Sequence, residues 1–99
     1  MNAALQLPIE ALASYCRDNG IRRLDLFGSA TRADFRSDSD VDLLVDFEPQ
    51  AQVGFLSLGR MQRELSTLIG RRVDLVPRTG LKPAIAASVL ETAEPLYAQ

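Results

Sequence analysis

Asp40 and Asp42 stand two residues apart in "SDSDVDLLVD", and a third acid, Asp74, interrupts the apolar run "RVDLV". Residues i and i+2 of a β-strand leave the same face with their bases roughly 6.5–7 Å apart. Asp40 and Asp42 on a strand can therefore turn toward a shared cation. Hard divalent ions such as Mg²⁺ take oxygen ligands, commonly one or two carboxylates completed by substrate phosphates and water. A strand carrying Asp74 beside the first would bring its carboxylate to the same face. Three carboxylates so grouped suit two ions about 3.5–4 Å apart, which stabilise the attacking and leaving oxygens of an in-line phosphoryl displacement. Asp74 would also be near enough to take the proton of an attacking hydroxyl.

The other half of a triphosphate site is a cradle for phosphate, and "GSATR" supplies its parts. Gly28 lets backbone approach an anion closely, and Ser29 offers a hydroxyl and an amide. A helical turn over Ala30 to Ala33, capped by Ser29, would aim free N–H groups at the phosphates. Arg32 or Arg36 could neutralise the remaining charge. Six acids crowd between Asp34 and Glu48 with Arg36 as the one base among them. Asp40 and Asp42 are the candidates for chemistry, Asp34, Asp38 and Glu48 read as solvated or structural, and Asp46 fits either use.

Two short strands must deliver these groups. "IRRLDLFG" is β-prone and ends in Gly28, so it presents the cradle. "DVDLLVDFE" alternates, with Asp40, Asp42, Leu44 and Asp46 on one face and Val41, Leu43, Val45 and Phe47 on the other. "RRVDLVP" predicts a third strand. Around them, residues 8–19 have helical spacing opened by Pro8 and stopped by Gly20. A second helix is expected over Val53 to Ile69, with Phe55, Leu58, Met61, Leu65 and Leu68 along one side. "LKPAIAASVLETA" predicts a third, with Ile85, Val89 and Leu90 inward. The tail "EPLYAQ" is expected to add an edge strand or stay loose. The order is helix, strand, loop, strand, helix, strand, helix: an α+β fold, a small mixed sheet covered by about three helices.

A chain of 99 residues, 46% hydrophobic and 24% charged, has room for one domain, spanning 1–99. A pI near 5.0 gives no global attraction to a polyanion, so direct nucleic-acid binding is not expected. With one cysteine and no histidine, neither an internal disulfide nor a zinc site is expected. The N-terminus lacks the features of a signal peptide, and no apolar run is long enough to span a bilayer, so the expected location is cytoplasmic. Exposed apolar surface on the helix at 53–69, or around Leu96 and Tyr97, is a candidate partner interface, although core packing accounts for most of those residues.

Gly28-Ser29, ten residues, then Asp40-Val41-Asp42 resembles the signature of the DNA polymerase β-like nucleotidyltransferase superfamily. The short chain, with "RRVDLV" following, is similar to the minimal, MNT-type members. The resemblance implies a nucleotidyltransferase fold and transfer of AMP from ATP to a hydroxyl with release of pyrophosphate. It assigns Gly28 and Ser29 to the triphosphate, beside which Arg32 is the candidate base, and Asp40 and Asp42 to Mg²⁺, with Asp74 as the third acid of the metal and catalytic set. It further implies an antitoxin that adenylylates a tyrosine on a cognate HEPN-domain RNase toxin. Neutralisation by binding alone remains an alternative, as does modification of a small molecule of the aminoglycoside type. One departure stands out: members often carry Gly after the arginine of the loop, where this chain has Ala33.

Overall fold

The computed structural model of the chain describes residues 7–28, 40–51 and 53–99, the side chain of Ile85 excepted. Ser29, Arg32, Ala33, Asp34, Arg36 and Asp38 lie outside the described residues. The elements run α1 (Ile9–Asp18), β1 (Ile21–Phe27), β2 (Val41–Phe47), α2 (Phe55–Ile69), β3 (Val73–Pro77), a 3-10 turn (Arg78–Gly80), α3 (Pro83–Thr92) and β4 (Glu94–Ala98). One sheet forms, in the order β3-β2-β1-β4. β1 is antiparallel to both β2 and β4, while β2 and β3 are parallel, joined through α2. The tail thus completes the sheet as an edge strand.

Alternation in the strands builds the core on one face. Leu24 and Leu26 of β1, Val41, Leu43 and Val45 of β2, Val73 and Leu75 of β3 and Leu96 of β4 meet Leu12 and Cys16 of α1 and Met61 and Leu65 of α2. Leu96, considered above as part of an interface, is therefore a core residue. Burial pushes the Cys16 thiol up to about 12, so this cysteine packs and does not react. Tyr15 ties the two helices together by donating to Glu64 Oε1 at 2.7 Å. Partial burial and that bond push its phenol up.

Three positions expected on the apolar faces of α2 and α3 are corrected. Phe55 is 90% exposed and Leu68 36%, because the buried stripe of α2 runs through Met61 and Leu65, with Leu58 and Ile69 packed beside it. Phe55 opens the helix beside the ends of β2 and β3, lining an open hollow with Phe47 and Pro77 that leaves its ring exposed. In α3, Leu90 is 41% exposed instead of inward, and no described side chain of that helix belongs to the core. α2 ends where Gly70 takes the left-handed conformation, its N–H returning to the Ser66 carbonyl.

The same helix fastens β3. The Val73 N–H donates to Ser66 Oγ at 3.0 Å and the Leu75 N–H donates to Gln62 Oε1 at 2.9 Å. Ser66 and Gln62 lie one turn apart on α2, so they meet alternate residues of the strand. These side chains satisfy backbone donors that an edge strand would otherwise present to solvent, and they fix the height at which Asp74 sits.

Candidate active site

Register brings the acids together. Asp42 of β2 lies directly opposite Asp74 in the parallel ladder and opposite Phe27 in the antiparallel one. Opposed residues in a ladder share a face, so Asp42 and Asp74 project from the side away from the core. Asp40 precedes β2, whose first residue, Val41, donates its N–H to the Arg72 carbonyl at 2.9 Å. Asp40 and Asp74 are exposed, whereas Asp42 is partly buried between them. Burial first, then the charges of Asp74 and Asp40, hold the Asp42 carboxyl above the usual carboxylate range. A proton or a cation at this point relieves the crowding.

Gly28 follows Phe27 and closes over Asp42. Its φ is +74°, and a Cβ there would stand 2.3 Å from Asp42 Oδ2 and 3.2 Å from Cγ. Both the backbone conformation and the close approach require glycine. The two parts of the site proposed from sequence, Gly28 and Asp42, are thus in direct juxtaposition. All the available donors are oxygens, which fits a hard cation such as Mg²⁺. Among the described residues no three acidic, cysteine or histidine side chains stand close enough to form a ready-made cage.

The other acids of β2 and its flank have structural partners. Asp46 forms an ion pair with Arg22, and Glu48 accepts from Gln50 at 3.0 Å and also from Gln99. Arg22 reaches Asp46 because a bulge between Ile21 and Arg23 shifts the register of β1.

One charged residue on this face was not singled out by sequence. Asp25 is 1% exposed, the one buried charged side chain among the described residues. Arg23 Nε donates to both of its oxygens, at 3.1 and 3.0 Å, and Arg78 Nη2 lies 3.5 Å away. Arg23 at i−2 on the same strand was the available signal. Asp25 pairs with Leu44, which places it diagonal to Asp42, about 7–8 Å away.

Among the described residues, removing Arg23 would leave this carboxylate with the longer Arg78 contact alone. Arg23→Met is expected to lower stability by about 2 kcal/mol in urea unfolding, because the cost falls on the buried partner left behind. Arg78→Met should cost less, since Arg78 Nε is itself buried with no hydrogen-bond partner among the described residues.

Residues 9–95 match the family model of the nucleotidyltransferase domain. The chain belongs to that family. This nucleotidyltransferase is 44% identical, over 71 residues, to protein adenylyltransferase MntA of Thermococcus cleftensis, covering 72% of the chain and 70% of the relative. A chain of a toxin–antitoxin crystal structure with AMP-PNP superposes with a TM-score of 0.77 at 20% identity, covering 94% of this chain and 75% of that one. The structure of a tri-AMPylated HEPN toxin from Shewanella oneidensis in complex with MNT antitoxin gives 0.68 at 18% identity, covering 92% and 70%. These two structural likenesses establish the fold, a four-stranded mixed sheet with three helices in the nucleotidyltransferase arrangement. No helix among the described residues is long and apolar enough to cross a membrane.

Proposed function

We propose that this nucleotidyltransferase moves AMP from ATP to a hydroxyl of a partner protein, a tyrosine of a cognate HEPN RNase toxin, and so acts as an antitoxin. The observation that carries the reading is the in-register pairing of Asp42 with Asp74 beneath the Gly28 turn. The protein adenylyltransferase relative supports the reaction class. The toxin–antitoxin complexes, one with AMP-PNP and one with an AMPylated toxin, support ATP as donor and a HEPN protein as acceptor. A cytoplasmic site of action fits an ATP-dependent reaction.

In the reaction, the tyrosine oxygen attacks the α-phosphorus of ATP, a new P–O bond forms, and the bond to pyrophosphate breaks on the opposite side. Asp74, the more exposed of the facing pair, is suited to take the phenolic proton. Gly28 leaves backbone free to approach the phosphates, and Ser29 and Arg32 are assigned to the same anion. Asp40, Asp42 and Asp74 would hold Mg²⁺, two ions in the usual arrangement, which when bound neutralises phosphate charge and stabilises the attacking and leaving oxygens.

The test is transfer of label from α-labelled ATP to a candidate HEPN protein, sought first in the gene adjacent to this one. Asp74→Asn is expected to slow transfer by about 10²–10⁴-fold, the usual contribution of a positioned base. Absence of labelled toxin with the wild type would overturn the reading. Full toxin neutralisation by an inactive Asp74→Asn protein would assign the antitoxin effect to binding.

A further inference from the structure

The first turn of α2 carries the most exposed large apolar side chains among the described residues. Phe55 and Leu56 are 90% and 88% exposed, while the next large apolar side chains, Ile9 and Leu90, stand at 42% and 41%. Phe55 and Leu56, with Ser57, Gly59, Arg60 and Arg63, line an open groove of about 460 Å³. Glycine inside a helix lowers its stability, and here it keeps the groove floor low. A Cβ at Gly59 would meet Arg63 Nη1 at 3.7 Å, so the guanidinium folds back across it.

The charge around this patch is net positive, Arg60 and Arg63 against Glu64. Arg60 is shared with Glu64 at 2.8 Å, but among the described residues no carboxylate pairs with Arg63. α2 begins at Gly54 with no side-chain cap and no acid in its first turn, so its free N–H groups add positive potential. A second copy of this chain packing symmetrically would bring the same arginines and the same helix start against themselves. A helix of another protein, with apolar side chains flanked by Asp or Glu, matches both the groove and the charge.

We propose that this patch docks an acidic, apolar-faced helix of the partner toxin, an inference that rests on the function proposed above. Phe55 adjoins a hollow lined also by Phe47 and Pro77, at the ends of β2 and β3 remote from the acids. Five residues of strand separate Asp42 from Phe47, about 17 Å. A toxin held there leaves the Asp42 and Asp74 face open to its tyrosine, and docking and transfer become separable.

The experiment compares wild type with Phe55→Ser/Leu56→Ser and with Arg60→Glu/Arg63→Glu. Calorimetric titration against the candidate HEPN protein would run at low and high salt, with Tm and AMP-PNP affinity as controls. Both variants should bind the toxin at least tenfold more weakly with unchanged Tm and AMP-PNP affinity, and the charge-reversed protein should lose the salt dependence of the wild type. Toxin affinity unchanged in both variants would overturn the docking site while leaving AMP transfer intact. Loss of self-association by the wild type's variants, without loss of toxin binding, would give the patch to a second copy and overturn the proposal. A wild type that binds no HEPN protein and labels none would sink this inference and the function beneath it; one that labels the toxin but fails to bind it stably would sink the docking site alone.

Discussion

Asp42→Asn should slow AMP transfer about 10³-fold and, in the absence of divalent metal, stabilise the fold. Asp42 is the acid at the centre of the site, facing Asp74 across the ladder and covered by Gly28. Losing its charge removes a proposed metal ligand worth several kcal/mol of transition-state stabilisation. A loss of about 4 kcal/mol corresponds to roughly a 10³-fold slower rate. The same substitution removes an ionised group that burial and two neighbouring carboxylates disfavour. In the metal-free protein the raised Asp42 value means that the native state holds its proton to higher pH than the unfolded chain. Stability from this group is therefore full below the unfolded carboxylate range and falls as pH rises through the folded value. Thermal unfolding in EDTA should show a higher Tm for Asp42→Asn at neutral pH and a flatter pH dependence. An unchanged or lower Tm would count against crowding at the site.

Gly28→Ala is the second large effect, and it acts without touching an acid. A methyl group 2.3 Å from Asp42 Oδ2 must displace that carboxylate, and misplacement by about 1 Å at a reacting centre can slow a reaction roughly 10²-fold. Alanine at φ +74° also carries strain of about 1–2 kcal/mol, or a fall of about 5–15 °C in Tm for a domain of this size. Steady-state transfer rates beside thermal melts would separate the two consequences. Normal transfer by a folded Gly28→Ala protein would show that the Gly28–Asp42 approach is not needed for catalysis.

Much of this arrangement was legible in the residues. The two-residue spacing of the acids, the glycine at a strand end and the aspartate inside "RVDLV" picked out residues that the fold brings side by side, and β1 to β3 formed where the short β-prone runs placed them. What alternation could not supply was register. A one-residue slip of β3 would send Asp74 into the core, and what secures it, Gln62 and Ser66, reads in sequence as an ordinary polar face of a helix. Asp25 was hidden for a related reason: a charge in a strand signals a solvated face unless its partners are known, and Arg78 comes from a turn far along the chain. Phe55 misled because helical period specifies a side of the helix and not where the sheet beneath it ends.

The two α2 side chains bonded to β3 also decide how this small sheet can grow. With the Val73 and Leu75 donors already engaged, the β3 side offers little template to an incoming strand. β4, whose inner neighbour is β1, is the other margin. Any assembly built by strand addition would therefore extend the sheet from β4, on the side away from Asp74.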